Sequence, residues 1–283
     1  MNVRFTALAP LVLPLFALVS ACSSASHAPR AKGESALTAP GLGTTETFVV
    51  LGGETVTNTG PSTIGGDLGV SPGSAVTGFP PGLQTSGTMH KADAIALQAK
   101  ADLGIAYDAL AAEPCTQNMT STDLGGLTLG EGVYCFSSSA QLTGTLTLDA
   151  GGKADAVFVF KTVSTLTTGS HAKILITNGG SSCHVFWKVG SSATIGTGTT
   201  FVGSILALTS IALQTGASLD GRALARNGAV TMDDNHIALS VCGAPPPPPP
   251  PVVDAGPSDT GTTAPDAGAE TPAPACDEEG NCY

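Results

Sequence analysis

Apolar residues recur at helical spacing in one segment of the chain, residues 91–112. This segment contains no proline and a single glycine, Gly104. Its apolar residues follow one another at steps of three and four, which places them on one side of a helix: Ile95, Ala99, Leu103, Ala106 and Leu110. The pattern predicts one long helix over about residues 90–112, ended by Pro114 and packed along a single neighbouring surface.

From residue 120 onward the pattern changes to short runs of Val, Ile, Leu, Phe and Thr that glycines interrupt. Runs of this kind, each bounded by turn residues, are typical of strands. The predicted strands are residues 127–129, 133–136, 142–148, 157–160, 174–177, 185–189 and 201–206. Their close spacing indicates many short strands joined by tight turns.

Part of this β-rich segment repeats at a constant step along the chain. The residues that keep this step are Gly198 and Gly216, Gly203 and Gly221, and Ile195, Leu213 and Thr231. The step from Gly198 to Gly216 is about the length of one coil of a small β-solenoid with three short sides. The period is broken rather than strict, because the step from Gly169 to Gly198 is longer than the step from Gly198 to Gly216.

Composition and charge restrict the possible partners. Charged residues make up 12% of the 283 residues, and the net charge is −11. Nucleic acid is excluded as a partner, since phosphate binding requires a basic face. So low a charged fraction is also unlike that of an ordinary α/β enzyme. A polar but uncharged surface remains, rich in glycine and threonine.

The first residues resemble an export signal. Arg4 precedes an apolar run at residues 7–19, and Val19-Ser20-Ala21-Cys22 follows, which resembles a bacterial lipobox. The resemblance implies cleavage before Cys22, lipidation of its thiol and attachment to a membrane through the lipid. Ser23 then favours the outer membrane of a diderm bacterium, at the cell surface. The alternative is a plain secretory signal with an incidental cysteine.

Six cysteines follow Cys22: Cys115, Cys135, Cys183, Cys242, Cys276 and Cys282. Their even number in an exported chain favours disulfides over a metal site, and none has zinc-finger spacing. Several pairings are open, and proximity along the chain suggests Cys115–Cys135, Cys183–Cys242 and Cys276–Cys282.

Composition also divides the chain into regions. We expect a lipoprotein signal peptide at residues 1–21, a flexible tether at 22–40, a folded domain at 41–242 and a tail at 243–283. The tail holds seven consecutive prolines, and its seven acidic residues occur with no lysine or arginine. It is predicted to be disordered. The proline run is either a spacer or part of a solvated tail.

Several motifs together resemble a known family. They are LGGETVTNTGPS at residues 51–62, GGDLGVSPG at 65–73, TGFPPG at 77–82, GVY at 132–134 and VFVF at 157–160, beside the alanine-rich helix. This set closely resembles the bacterial and fungal ice-binding proteins over about residues 41–242. The resemblance implies a mainly β fold, a discontinuous right-handed β-solenoid of triangular cross-section with one long helix alongside. It also implies a non-enzymatic protein without a cofactor, whose partner is the ice crystal.

The composition suits such a partner. An ice-binding surface must be flat and must form hydrogen bonds without strong charge, and the threonine side chain supplies both a methyl and a hydroxyl group. Residues 41–242 contain 29 threonines. A solenoid presents such residues in rows at the strand spacing of about 4.8 Å, which is close to repeats of the ice lattice.

Four threonine–glycine pairs begin successive segments of the β-rich region. Some family members carry Thr–small–any–Thr/Asn on the ice-binding side, and the corresponding segments here are Thr143-Gly144-Thr145-Leu146, Thr168-Gly169-Ser170-His171, Thr197-Gly198-Thr199-Thr200 and Thr215-Gly216-Ala217-Ser218. The predicted ice-binding residues are Thr143, Thr145, Thr168, Thr197, Thr199, Thr200, Thr215 and Ser218. The alternative is that these pairs only mark the corners of the solenoid.

No catalytic motif stands out. The chain lacks HExxH, a P-loop and GxGxxG. The polar cluster Asp233-Asp234-Asn235-His236 is interpreted as a solvated turn, with a cation site as the alternative. Because Arg222 and Arg226 lie near these acidic residues in sequence, a polysaccharide-degrading β-helix enzyme is a further alternative.

Three hypotheses therefore arise. The leading one is a surface-anchored ice-binding protein that inhibits recrystallisation or attaches the cell to ice. The second is a structural or adhesive envelope module of the same fold, with a surface glycan or protein as its ligand. The third is the polysaccharide-active enzyme. Nothing in the sequence indicates a dimer, so a monomer is expected.

Overall fold

The computed structural model describes residues 37–239. They form 22 strands, one α-helix and two short 3₁₀ turns at Gly43–Thr47 and Ser182–His184. Every strand pairing within this range is parallel, so the chain winds in coils that stack on one another. Several predictions concern residues outside the described range. They are the predicted signal peptide, Cys22, most of the predicted tether, Cys242, Cys276, Cys282 and the predicted tail.

Each coil contributes strands to three faces. The threonine face is the seven-stranded sheet, formed in spatial order by β11 (Ala140–Leu142), β14 (Leu166–Thr168), β17 (Ala193–Ile195), β19 (Ile211–Leu213), β21 (Val230–Asp233), β2 (Thr55–Thr59) and β5 (Ala75–Thr77). A 15-stranded sheet folds around the other two faces. The mainly β solenoid implied by the family resemblance is thereby confirmed.

The first of these two, the helix-covered face, lies against the α-helix. Its strands in spatial order are β8 (Gln117–Asn118), β10 (Gly132–Phe136), β13 (Phe158–Thr162), β16 (Val185–Val189), the second halves of β18 (Thr200–Ala207) and β20 (Ser218–Ala225), then β1 (Phe48–Gly52), β4 (Asp67–Val70) and β7 (Met89–Lys91). The other, the charged face, comprises β9 (Thr128–Leu129), β12 (Thr145–Asp149), β15 (Lys173–Thr177), the first halves of β18 and β20, then β22 (His236–Ala238), β3 (Thr63–Gly65) and β6 (Leu83–Ser86).

The solenoid is discontinuous in sequence. β1 pairs with β20, β2 with β21 and β3 with β22, so the first coils of the chain stack upon the last ones. The chain must therefore travel from one end of the stack to the other between β7 and β8. Eight strand spacings of about 4.8 Å separate these two strands. The helix supplies most of that distance, since its 19 residues reach about 28 Å.

The helix α1 is Ala94–Ala112, four residues shorter at its start than predicted. Its N-cap is Asp93, whose carboxylate accepts a hydrogen bond of 2.8 Å from the amide of Ala96. The preceding residues belong to β7 instead. Within residues 37–239 the structure contains no helix with the length and apolar character needed to cross a bilayer.

The buried side of α1 differs from the predicted stripe at one position. Ile95 is 53% exposed, so its assignment to the packed side was wrong. The buried residues are Ala96, Ala99, Leu103, Ala106, Tyr107 and Leu110. They pack against apolar residues of the helix-covered face, among them Phe48, Val159 and Phe186. Ala96 takes the place of Ile95 on the buried side, since it precedes Ala99 by three residues and so lies on the same side of the helix.

A stack of aromatic rings fills the interior behind the helix-covered face. Ring centroids are 5.2 Å apart between Tyr134 and Phe160, 4.0 Å between Phe160 and Trp187, and 5.0 Å between Trp187 and Phe201. The indole of Trp187 also donates a hydrogen bond of 3.0 Å to the carbonyl of Val202. Tyr134 and Trp187 are both buried, so these aromatic side chains serve to pack the interior.

The step from one coil to the next keeps its predicted length at β19 and β20, is one residue longer at β21 and returns to the predicted length at β22. Ile195 pairs with Leu213, and Gly203 with Gly221, as the period predicts. Thr231, however, lies beside Ala212 rather than Leu213. The cause is one extra residue in the turn at residues 226–229, compared with the turn at 208–210 of the preceding coil.

The predictions for the cysteines and for the tether can be compared with the described residues. The Cys115–Cys135 disulfide is confirmed, with a Cα–Cα distance of 5.8 Å. Cys183 is also disulfide-bonded. The tether prediction extended too far, because Leu37 and Ala39 pack against the helix cluster and belong to the folded domain.

Lys100 connects α1 to the last long strand. Its ammonium donates hydrogen bonds to the carbonyls of Ala225 and Arg226, the second at 2.6 Å. Burial, with a smaller effect from the Arg226 charge, lowers the pKa of Lys100 to about 8. Between pH 8 and the ordinary value of 10.5 the unfolded chain thus holds more protons on this group than the folded chain. Stability must rise with pH over that interval.

We expect the free energy of unfolding to rise by roughly 1 to 3 kcal/mol from pH 8 to pH 10.5, relative to the variant Lys100→Met. Urea denaturation at several pH values measures this difference. Lys173→Met, which removes an exposed lysine on the charged face, is the matched control and is expected to follow the wild-type profile. Parallel profiles for Lys100→Met and the wild type would contradict the prediction.

Candidate functional site

The three faces differ in how far they are covered and in how many charged side chains they carry. The helix-covered face is occupied by α1. The strands of the charged face carry Lys173, Asp220 and His236, and Leu83 on its edge strand is 59% exposed. The threonine face carries one charged residue in its seven strands, Asp233 at the end of β21. It is therefore the face on which an uncharged hydroxyl surface can form.

A single column of outward-facing residues runs down the centre of the threonine face. We call it the threonine column: Gln141, Thr167, Thr194, Ala212, Thr231, Thr57 and Thr77 in spatial order. Five of its seven members are threonine, and none is buried. Most of the residues on either side of each member in sequence point inward and are buried, as alternation along a strand requires.

The register of this sheet is unbroken from β11 to β5. The 15-stranded sheet, in contrast, shifts register in β1 and again in β3. Without such shifts, members of the threonine column follow one another at the strand spacing of about 4.8 Å. The column is thus a regular row of hydroxyl and methyl groups.

A second row of small side chains lies beside the threonine column, one pleat earlier in each strand. It contains Ser139, Thr165, Ser192, Ser210, Ala229, Thr55 and Ala75, aligned by the backbone hydrogen bonds between coils. The Thr165 hydroxyl donates to Ser139 Oγ at 2.9 Å, and Ser210 Oγ accepts from the amide of Ala229 at 3.2 Å. These bonds fix hydroxyl groups in position, so the surface is ordered before any ligand arrives.

Three of the predicted ice-binding residues lie at the corner next to the threonine face. Thr143, Thr197 and Thr215 are exposed, and each is followed by a glycine with positive φ. The Thr143 hydroxyl donates to Asp123 Oδ2 at 2.6 Å, and the Thr215 hydroxyl donates to Asp233. Their threonine–glycine pairs therefore form turns, which is the corner alternative stated above. These residues border the threonine face and lie outside its central column.

Three others lie on the charged face. Thr145 and Thr200 are exposed, and Ser218 is half-buried beside Thr200. Lys173 separates Thr145 from Thr200 in the same row, and His236 follows Ser218. The row is thus interrupted by ionisable side chains, and it does not continue the row at the corner.

The remaining two, Thr168 and Thr199, are inside the solenoid, and their prediction as surface residues was wrong. Thr199 has no exposed surface and Thr168 is 4% exposed. Their hydroxyl oxygens are 3.2 Å apart; Thr168 Oγ1 accepts from the amide of Gly196, and Thr199 donates to the carbonyl of Gly169. Both side chains satisfy backbone groups at a corner, which explains why threonine is found there.

Replacing Thr168 with valine is expected to lower the free energy of unfolding by about 1 to 3 kcal/mol, because the amide of Gly196 loses its buried acceptor. Urea denaturation measures the loss. The folded variant is expected to bind a ligand at the protein surface as strongly as the wild type does, because position 168 is buried. A loss of activity without a loss of stability would contradict the interior role.

Sequence reasoning missed the threonine column. Its signal in the sequence is a threonine that follows an inward-pointing apolar residue at the centre of a very short strand, as in Ala193-Thr194-Ile195 and Val230-Thr231-Met232. The threonine–glycine pairs were easier to see because glycine marks the corners. The residues of the column are far apart in sequence and come together only through the coil register.

The polar cluster after β21 has a structural role. Asn235 is buried, and its amide nitrogen donates to the carbonyls of Gln214 and Ala217. His236 contacts Thr63 across the charged face at 2.7 Å. The two arginines near these residues in sequence point elsewhere: Arg222 is buried against the carbonyl of Glu46, and Arg226 pairs with Asp108 on α1 at 3.1 Å. The acidic and basic residues that an enzyme would need do not converge here.

Comparisons with known proteins agree with this architecture. The family described as ice-binding-like matches residues 50–238. A protein named ice-binding protein from Nostoc sp. (strain HG1) is 58% identical over 198 residues, which are 70% of this chain and 73% of that protein. Ice-binding protein 1 of Shewanella frigidimarina is 34% identical over 70% of this chain and 26% of its own length.

Solved structures are similar as well. The crystal structure of an ice-binding protein from the Antarctic ascomycete Antarctomyces psychrotrophicus has a TM-score of 0.70 and 41% identity, covering 72% of this chain and all of that one. The structure of an ice-binding protein from an Antarctic biological consortium has a TM-score of 0.71 and 43% identity, covering 82% of this chain and 97% of that one.

Proposed function

Because this chain belongs to the ice-binding protein family, we propose that it binds ice through the threonine face. The observation that carries the proposal is the threonine column, whose exposed or half-exposed members stand on neighbouring strands in unbroken register. The relatives are ice-binding proteins and not enzymes, and we assign no reaction to this chain.

The physical basis is the match between this surface and ordered water. Threonine hydroxyls can hydrogen-bond to lattice water, and the methyl groups beside them order a layer of water without binding it strongly. Charged groups would order water around themselves and would disturb such a layer. The single charge in the strands of the threonine face is Asp233, and the Thr215 hydroxyl donates to it. The face is therefore suited to adsorb to an extended crystal plane.

Inhibition of ice recrystallisation tests the proposal. The chain, produced with its disulfides formed, is expected to stop crystal growth in an annealed frozen film at micromolar concentration. Reduced and unfolded chain is the control for nonspecific polymer effects. Free growth of ice crystals in the presence of folded protein would reject ice binding and would favour the structural or adhesive alternative.

We propose that the protein acts outside the cell. A disulfide between Cys115 and Cys135 suits an oxidising compartment, in agreement with the export signal predicted from the sequence. We further propose that lipid on Cys22 anchors the protein to the outer membrane, which would keep the threonine face near the cell surface.

Replacing Cys22 with serine is expected to move the protein from the membrane pellet to the soluble fraction, because no thiol remains to carry the lipid. Fractionation after expression in a diderm bacterium, with incorporation of labelled fatty acid, measures both changes. Ser23→Ala keeps the thiol and is the control. Equal membrane association of the Cys22→Ser variant and the wild type would reject lipid anchoring.

A further inference from the structure

A cavity of about 440 Å³ opens beside the C-terminal end of α1. Its apolar walls include Ala111 of the helix, Phe136 of β10 and the exposed side chain of Val163. The Cys115–Cys135 disulfide forms another part of the wall and holds the segment after α1 against β10. A volume of this size is within the range of small-molecule sites. It lies away from the threonine column and has no role in the proposed ice contact.

Two lysines stand in the wall of this cavity. Lys161 and Lys188 are direct neighbours on β13 and β16, so the sheet holds their backbones about 4.8 Å apart. The ammonium of Lys161 donates to the carbonyls of Ala111, at 3.1 Å, and Glu113. With three donors on each ammonium, one donor of Lys161 is left for a ligand.

The ammonium of Lys188 is even more available. It lies over the ring of Tyr107, 4.6 Å from the centroid, and within residues 37–239 it donates to no acceptor. Burial lowers the pKa of Lys188, and burial together with the charge of Lys188 lowers the pKa of Lys161. Two half-buried cations that repel each other are stabilised when an anion lies between them.

The nearest carboxylates offset the effect of burial only in part: the charge of Asp108 raises the pKa of Lys188 and the charge of Glu113 raises that of Lys161, yet both pKa values remain lowered. Asp108 pairs with Arg226 at 3.1 Å, and Glu113 contacts Lys161 through its backbone carbonyl. Neither carboxylate lies in the wall of the cavity. A basic pair beside an apolar wall is unusual in a chain whose net charge is −11. The arrangement is complementary to a molecule with one anionic end and an apolar body.

We propose that this cavity binds a small amphipathic carboxylate, with its charged group at Lys161 and Lys188 and its aliphatic or aromatic body against Ala111, Val163 and the disulfide. The interaction is independent of ice binding, since no residue of the threonine column lines the cavity. The lysine pair supplies charge-assisted hydrogen bonds and the apolar wall supplies hydrophobic burial.

Titration calorimetry of the full chain with octanoate tests the proposal. Octanoate is expected to bind at least about tenfold more tightly than octan-1-ol, which has the same body without the charge, and octylammonium is expected not to bind. Lys188→Met is expected to weaken octanoate binding by about tenfold or more. Lys173→Met, an exposed lysine on the charged face, is the matched control and is expected to bind as the wild type does.

A second variant keeps the test decisive if Lys188→Met does not fold. Ala111→Glu adds a carboxylate at the exposed end of α1, within the cavity wall, and is expected to abolish octanoate binding by occupying the anion position. Equal affinity for octanoate and octan-1-ol, absence of octanoate binding to folded wild type, or undiminished binding by Ala111→Glu would overturn the proposal. Inhibition of ice recrystallisation is expected to be unchanged in these variants. Failure of the carboxylate proposal can therefore be distinguished from failure of the ice-binding proposal.

Discussion

Thr231→Tyr is expected to weaken inhibition of ice recrystallisation by about tenfold or more, equivalent to at least about 1.4 kcal/mol of adsorption free energy. Thr231 lies within the threonine column, between Ala212 and Thr57 on the neighbouring strands. A tyrosine ring would project above the row and hold the crystal away from the hydroxyls on both sides. A dilution series in the recrystallisation assay gives the concentration at which crystal growth stops.

The matched control is Thr200→Tyr on the charged face. Thr200 is exposed at the start of β18, so the same ring can be accommodated there, and activity is expected to stay at the wild-type level. Both variants should unfold at the wild-type urea concentration, because neither position is buried. Loss of activity in Thr200→Tyr with full activity in Thr231→Tyr would move the ice contact to the row that contains Thr145, Thr200 and Ser218.

Gly221→Ala is expected to lower the free energy of unfolding by more than about 3 kcal/mol. β18 and β20 each continue from the charged face onto the helix-covered face, and both turn at a glycine with positive φ, Gly203 at 104° and Gly221 at 153°. The two glycines are paired, and a Cβ on Gly221 would lie 2.0 Å from the carbonyl oxygen of Gly203. Backbone conformation and contact distance therefore both oppose a side chain.

Gly216→Ala separates these two effects. Gly216 also has a positive φ, 71°, but a Cβ there would meet no atom within 4 Å. The expected loss is about 1 kcal/mol, from backbone conformation alone. Urea denaturation of both variants gives the comparison. Similar losses at the two positions would mean that the close stacking of Gly203 and Gly221 does not limit the packing of the coils.

The fold could be predicted in outline because its signals are local or belong to long specific motifs. The alanine-rich segment without proline gave α1, and Pro114 marked its end correctly. The residue runs cut by glycine gave most strands of the second half. The single run at residues 142–148 joins the last residue of β11 to β12, because the chain turns a corner at Gly144, whose φ is 88°. Periodicity does not distinguish such a corner from a continuing strand.

The site was harder to predict because it depends on register. Thr168 and Thr199 share a surface motif in sequence, yet both are buried at a corner. Thr57 and Thr231 lie near opposite ends of the described range and become neighbours only because the first coils stack upon the last ones. No local pattern spans so large a separation, so the threonine column could not be assembled from spacing along the chain.

The sequence by itself determined the chemical character of this protein: a chain poor in charge and rich in threonine and glycine, with one helix, many short strands and motifs typical of ice-binding proteins. The tertiary structure decided which threonines lie together in the solvent and which satisfy buried backbone groups. The physical reason is that a parallel coil turns its residues inward or outward according to strand alternation and corner position. One extra residue in the turn at residues 226–229 shifts the pairing of β21 by one position, and the earlier step returns at β22.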